Sequence, residues 1–286
     1  MKMKIVVDSS ANLLSLPDID FGVVPLHIIV GENDYIDDDK IDLTAMQENL
    51  SSYKGKTSTS SPSPHEWENA FGDADVVFCI TITSSLSGTY NSAVIAKDIY
   101  EHNHTGRKVY VLDSLSTGPE IALFIEKIAE LIKAGFAPDD IYKTLLEYKD
   151  KTHLYFSLAS LNNFAKNGRI SPVIAAGIGL LGVRVVGKAS DEGTLLPLDK
   201  CRGEKRALKK LIDHLKECGY TDGKIIIAHN NNEAGALELK KLIENTFGIF
   251  NGTIQKTRAL CSYYAEPGSL LIGFEASLCN HKPYKD

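Results

Sequence analysis

The stretch Val76-Val77-Phe78-Cys79-Ile80-Thr81-Ile82-Thr83, followed at once by Ser84-Ser85-Leu86-Ser87-Gly88-Thr89-Tyr90-Asn91-Ser92, decides the fold class. Its first half is an apolar, β-branched run and reads as a strand. Its second half is rich in hydroxyls, almost free of charge, and passes into a helix from about Thr89 to His102. A strand that ends in Ser, Gly and Thr and then turns into a helix aims hydroxyls and free backbone N–H groups at one spot, which suits an anionic or polar head group. Neutral donors with no Lys or Arg beside them favour a single charge, such as a carboxylate, over a triphosphate. A second hydroxyl-rich turn, Thr57-Ser58-Thr59-Ser60-Ser61-Pro62-Ser63-Pro64, has the same character.

Working outward, Lys4–Asp8, Asp75–Thr83 and Lys108–Asp113 read as strands. They alternate with helices over Leu43–Leu50, His65–Phe71, Thr89–His102, Gly118–Ala134 and Pro138 to about Asp150. Ile121, Ile125, Ile128 and Ile132 give the fourth helix one apolar face, and Gly135 stops it. Such alternation predicts an α/β lobe with a parallel sheet and helices on its faces. Three strands end alike, in Asp8-Ser9-Ser10, Thr83-Ser84-Ser85 and Asp113-Ser114. Ser and Asp make good turns and caps, but open parallel sheets bind ligands beyond the carboxyl ends of their strands. Three such ends together favour a site.

The second half reads as an α+β lobe, with the lobes divided as 1–154 and 155–286. Its elements are a strand at Leu154–Leu158, a short helix at Leu161–Asn167 and a very apolar segment at Ser171–Leu181. A hairpin of Val183–Ala189 and Thr194–Cys201 follows, then helices at Gly203–Cys218 and Glu233–Phe247. Strands at Lys224–His229, Ile249–Gln255 and Leu270–Phe274 complete it.

The chain has 286 residues, 43% hydrophobic and 24% charged, which is ordinary for a soluble globular protein of one large domain or two lobes. A net charge of -6 without basic blocks argues against nucleic acid and anionic membranes. The five cysteines are scattered without a CxxC, so reduced thiols in a cytoplasmic protein are expected rather than disulfides or zinc. The N-terminal apolar run is too short for a signal peptide, and Val173–Val183 is too short to span a bilayer. An integral membrane protein is not expected.

Several motifs match by letter only. Gly177-Ile178-Gly179-Leu180-Leu181-Gly182 fits GxGxxG, but no clear strand feeds it. Gly182 to Lys188 approaches a P-loop, with Ala189 where a Mg²⁺-binding hydroxyl belongs. Ser87 as a nucleophile needs a base; His229, at the end of a strand, is the least implausible of eight histidines. Asp34 with Asp37-Asp38-Asp39 reads as a solvated acidic loop before it reads as a weak cation site. No metal and no cofactor is expected.

Together these segments resemble the DegV family of bacterial fatty-acid-binding proteins, in order along nearly the whole chain. The resemblance is carried by Val7-Asp8-Ser9-Ser10-Ala11, Val24-Pro25-Leu26, Thr59-Ser60-Ser61-Pro62-Ser63-Pro64 (similar to TSQPSP), and Ser84 to Ala93. Asp113-Ser114, Gly168-Arg169-Ile170-Ser171 and Lys200-Cys201-Arg202 complete it. It implies two lobes with a long-chain fatty acid buried between them. Thr59 and Ser87 would bond the carboxylate, with Ser60 and Gly88 nearby. Ile174, Ile178 and Leu181 would line the acyl tunnel. Such members resemble the non-catalytic, lipid-carrying subunit of a fatty-acid kinase, whose separate ATP-using partner makes an acyl-phosphate for phospholipid synthesis. Arg169 would then steady the added phosphate, and Lys200 and Arg202 would dock the partner. Two segments depart from the family. Tyr264-Ala265-Glu266-Pro267-Gly268 stands where HxGPG is usual, and Val183-Arg184-Val185-Val186 replaces an Ile-Lys-Pro segment. Tyr264 can still donate a hydrogen bond to a head group, and Glu266 adds a negative charge there. The alternatives are a serine hydrolase using Ser87, a nucleotide-dependent enzyme, or a binder of a different amphiphile without a kinase partner.

Overall fold

The computed structural model describes residues 1–171 and 182–276. The strands are β1 (Met3–Asp8), β2 (Asp20–Val24), β3 (His27–Val30), β4 (Asn33–Ile36), β5 (Thr57–Ser60), β6 (Val76–Thr81), β7 (Lys108–Asp113), β8 (Thr152–Leu158), β9 (Val183–Ala189), β10 (Leu195–Arg202), β11 (Ile225–His229), β12 (Gly252–Lys256) and β13 (Leu270–Glu275). The helices are α1 (Leu43–Ser52), α2 (Pro64–Phe71), α3 (Thr89–Asn103), α4 (Pro119–Lys133), α5 (Pro138–Lys149), α6 (Asn162–Lys166), α7 (Glu204–Glu217), α8 (Glu233–Phe247) and α9 (Ala259–Ala265).

The expected parallel sheet is present, in the order β2-β1-β6-β7. Strand β6 is buried along its whole length because both of its faces are covered. Val77 and Cys79 pack with Trp67 and Phe71 of α2 and Ala93, Ala96 and Tyr100 of α3. Phe78 and Ile80 belong to the cluster of Ile121, Phe124 and Ile125 on α4. Burial on alternate sides explains why the strand is a continuous apolar run rather than an alternating one.

The second sheet is mixed, in the order β10-β9-β8-β13-β11-β12. Leu208, Leu211 and Leu215 of α7 and Leu239 and Ile243 of α8 cover one face, packing with Tyr155, Ile225, Ile227 and Phe274. Helix α4 reaches the other face, where Ala122 and Leu123 cluster with Ile226. The helix is therefore wedged between the two sheets, and its apolar surface is wider than the single isoleucine stripe. Its start comes so close to β13 that a Cβ built on Gly273 would lie 2.5 Å from the Glu120 nitrogen.

A third sheet, β4-β3-β5, is antiparallel and was not foreseen. Its strands are short and half polar, and β5 is the segment read as a hydroxyl-rich turn. Pairing of Thr57–Ser60 with Val30–His27 makes that segment a strand. Ser63 then caps α2 with a reciprocal Glu66 contact, and Pro64 takes the first helical position. Cys79, Cys201 and Cys261 are free, whereas Cys218 is in a disulfide. That corrects the expectation of reduced thiols throughout, since spacing along the chain does not tell which cysteines a fold brings together. Among the described residues no helix is long and apolar enough to cross a membrane.

Candidate ligand-binding site

Beyond the carboxyl ends of β6 and β7 an apolar cavity opens. Leu154, Phe156 and Leu158 of β8 and Leu271 of β13 line it from the second sheet. These residues alternate along their strands, which puts them on one face. Ile82, Leu86 and Leu115 come from the segments that follow β6 and β7, and Leu260, Cys261, Tyr264 and Ala265 from α9.

Strand register gives the cavity a direction. Leu158 leads into α6, whose Phe164 lines the cavity beside Tyr264 and Arg169. Leu154 lies four residues back, about 13 Å along the strand. Ala189 and Leu195, which pair with each other, line the cavity near Leu154, because Lys188 pairs with Tyr155. One end thus carries Leu158, Phe164, Tyr264 and Arg169, and the other Leu154, Ala189 and Leu195.

Thr83, Ser116, Thr117 and Thr194 line the cavity, whereas Thr59 and Ser87 lie outside its lining and adjoin the first end through Tyr264 and Leu86. Thr59 Oγ1 and Tyr264 Oη are 2.8 Å apart. Ser87 Oγ lies 2.8 Å from Thr89 Oγ1 and accepts a long bond, 3.4 Å, from the Thr89 amide. Thr89 is fully buried, so its hydroxyl is a fixed partner for Ser87. The two hydroxyl segments meet at Gly88, where a built Cβ would stand 3.4 Å from Ser61 Oγ. Ser60 is exposed at the end of β5. Arg169 Nε donates to the Leu86 carbonyl at 3.2 Å, which sets the guanidinium one residue from Ser87. Burial raises the pKa of Tyr264 above the ordinary phenol value, against the opposing effects of the Thr59 bond and the Arg169 charge. The hydroxyl therefore keeps its proton across the neutral range.

The three similar strand ends lie side by side, but they do different work. Asp8, fully buried, accepts from the Ser10 amide at 2.9 Å and the Ile82 amide at 2.6 Å. Asp113 accepts from the Ser84 and Leu115 amides, both at 3.1 Å. The outer two ends brace the middle one, which carries Ser87. Thr83 Oγ1 donates to the Gly193 carbonyl at 2.9 Å, and Ser85 Oγ donates to Glu192, so the hairpin tip is clasped to the same turn.

Other expected residues fall elsewhere. Ile174, Ile178 and Leu181 lie outside the described residues. Lys200 and Arg202 stand exposed on β10. Lys200 pairs with Val185, which pairs with Leu158, so Lys200 is two strands from the Leu158 end, about 10 Å across the sheet. Glu266 does not point a charge at the head-group end: its Oε1 accepts from Ser160 Oγ at 2.9 Å and the Asn163 amide at 3.1 Å. Asp37 is no solvated loop residue. It is fully buried, accepts from the Ala259 and Leu260 amides at 3.2 and 3.0 Å, and pairs with Arg258 at 3.2 Å. The hydroxyl of Ser87 has Thr89 for its partner, and His229 accepts instead from the Asn232 amide at 3.3 Å, so the two do not form a nucleophile–base pair. Among the described residues no cluster of His, Cys, Asp or Glu could hold a metal ion. The sequence reading missed the aromatic and aliphatic lining from β8; the alternation of Leu154, Phe156 and Leu158 was its signal.

Comparison with known proteins fits this geometry. The family model described as "Uncharacterised protein, DegV family" matches residues 2–277. A DegV domain-containing protein of Streptococcus pneumoniae is 40% identical over 279 residues, covering 96% of this chain and 99% of its own. Among solved structures, the Fatty Acid Kinase (Fak) B3 protein of Streptococcus pneumoniae, loaded with linoleic acid, superposes with a TM-score of 0.95 at 40% identity, covering 97% of this chain and 100% of its own. A DegV family protein of Eubacterium eligens loaded with heptadecanoic acid gives 0.94 at 39% identity, with 96% and 100% covered.

Proposed function

This chain belongs to the DegV family, and on that premise we propose that it binds a long-chain fatty acid between its lobes and presents the carboxylate to a separate ATP-dependent kinase subunit. The observation that carries the reading is an apolar cavity whose Arg169 and Tyr264 end adjoins the Thr59 and Ser87 hydroxyls. Residues 1–154 supply the head-group hydroxyls and 155–286 most of the acyl wall.

Each hydroxyl has one donor and two acceptor positions. If Tyr264 donates to Thr59, and Thr89 to Ser87, the Thr59 and Ser87 protons are left to the carboxylate. These are neutral donors, and they suit one negative charge. Burying about fifteen methylenes at about 0.8 kcal/mol each gives roughly 12 kcal/mol of gross driving force, much of it offset by association and ordering costs. The tail supplies affinity and the hydroxyls fix direction. Arg169, bonded to the Leu86 carbonyl, would steady a phosphate added at the carboxylate. Exposed Lys200 and Arg202 would dock the partner. The protein itself is read as a carrier rather than a catalyst, working in the cytoplasm.

Native and denaturing mass spectrometry of the purified protein tests this. A stoichiometric fatty acid is expected, with about tenfold weaker retention in Ser87→Ala and Thr59→Ala, the effect of one lost hydrogen bond to a charged group. Wild-type protein that neither carries nor takes up fatty acid would sink the reading. Arg169→Ala is expected to bind the acid but to slow acyl-phosphate formation by the reconstituted kinase pair; an unchanged rate removes that role.

A further inference from the structure

Glu266 occupies a backbone position that suits glycine. It closes α9 with φ 58° and ψ 159°, a combination that is essentially glycine's alone. The helix end sets the positive φ, and Pro267 behind it disfavours helical ψ. A strained non-glycine residue persists only where its surroundings hold it, and here the side chain shows what does. Glu266 Oε1 accepts from Ser160 Oγ and from the Asn163 amide, so one carboxylate oxygen ties the end of α9 to the start of α6. Ser160 Oγ in turn accepts from the Asn162 amide at 3.1 Å. Two further bonds complete the strap: Asn163 Nδ2 to the Tyr263 carbonyl and Asn167 Nδ2 to Tyr263 Oη, both 2.7 Å.

What α6 carries makes the strap matter. Phe164 packs on the Tyr264 ring, with centroids 4.8 Å apart, and lines the cavity beside it. Arg169 follows α6 directly and holds the Leu86 carbonyl beside Ser87. We propose that Glu266 is a positioning residue that straps α6 to α9, keeping Phe164 and Arg169 closed over the head-group end and slowing release of the bound chain. The proposal rests on the fatty-acid reading and adds to it a residue that touches no ligand.

The test uses the full chain with Glu266→Gly, which removes both strain and acceptor, and Glu266→Gln, which keeps an acceptor oxygen at the same reach. Glycine fits this backbone, so that variant is expected to fold with an unchanged or higher melting temperature. Two readouts are followed: hydrogen exchange of the Asn163 amide, and the release rate of a bound fluorescent polyene fatty acid. Glu266→Gly is expected to expose the Asn163 amide and to speed release about tenfold, the worth of one charge-assisted bond. Glu266→Gln is expected to stay within about threefold of wild type, since an amide oxygen accepts the same two bonds without the charge that roughly doubles their strength. Loss of Asn163 protection without faster release overturns the proposal and leaves Glu266 a structural cap. Release in Glu266→Gln as fast as in Glu266→Gly overturns it as well. Wild-type protein that takes up no fatty acid overturns the fatty-acid reading, and this inference with it.

Discussion

Tyr264 brings a neutral hydroxyl to one end of the cavity. Its ring is held between Phe164 and Tyr263, at centroid distances of 4.8 and 4.9 Å, so the hydroxyl reaches Thr59 from a fixed direction. Tyr264→Phe removes only that hydroxyl. It should fold as wild type and bind fatty acid about fivefold more weakly, the ordinary worth of one neutral hydrogen bond; titration calorimetry would measure it, and an unchanged Kd would place Tyr264 outside the head-group shell. Burial holds the phenol protonated, so Tyr264 adds no pH dependence to binding between pH 6 and 8. Tyr264→His should add one, with tighter binding at pH 6 than at pH 8, because imidazole gains its charge near pH 6.5. The strand-to-helix turn that carries Ser87 was legible in the sequence, because an apolar run leads directly into it and a helix directly follows. The role of Tyr263 was not. Its hydroxyl meets Thr57 Oγ1 at 2.7 Å and Asn167 Nδ2 at 2.7 Å, partners 206 and 96 residues away, and only the fold reveals them.

At the scale of an element, α9 illustrates what alternation and composition leave hidden. The helix is seven residues long and nearly all buried, so it has no amphipathic stripe to announce it. Its ends are held from afar. Asp37 takes the Ala259 and Leu260 amides and the Arg258 charge, Asn12 Oδ1 accepts from the Arg258 amide at 2.8 Å, and Cys261 Sγ donates to the Ser10 carbonyl at 3.4 Å. Burial raises the pKa of Asp37, while these bonds and the Arg258 charge oppose it. Asp37→Ala would leave two amides without their acceptor and the Arg258 guanidinium without its counter-ion, with only the Asp38 carbonyl still accepting from it. It should cost about 3–5 kcal/mol, seen as a fall in Tm of roughly 10 °C for a chain of this size. Because α9 also carries Leu260, Cys261 and Tyr264 into the cavity, acid binding should weaken along with Tm. A variant that melts like wild type would mean that the helix holds its place without Asp37. The small β4-β3-β5 sheet escaped the sequence for the same reason. Its strands become strands by pairing with one another and packing on α9, where Ile28 and Val30 cluster with Ala259 and Tyr263. The parallel sheet, built from local strand–helix repeats, was legible in outline.

Across the whole molecule, the two large sheets are joined through α4, and that junction holds an acid. Glu120 is 5% exposed at the start of the helix, where Thr152 Oγ1 donates to its Oε1 at 2.8 Å. Burial pushes its pKa from 4.5 up to about 7, more than the hydroxyl bonds and the Lys149 charge pull it back. The folded chain therefore keeps a proton that the unfolded chain gives up near pH 4.5. Stability tied to this proton is present below pH 4.5, is lost as pH rises through about 7, and changes little above that. Asp8, raised by burial to about 6, acts in the same direction over a slightly lower window. Glu120→Gln keeps an oxygen for Thr152 and removes the titration. It should match wild type near pH 4.5 and be more stable by on the order of 2 kcal/mol at pH 8, read from urea midpoints at the two pH values. An equal offset at both would show that packing, not the proton, sets the difference. The isoleucine stripe of α4 revealed a helix on the first sheet, but not that its other face seals the second. That second contact is what makes a glutamate in the first turn, an ordinary choice for an exposed helix start, a titrating group between the two sheets.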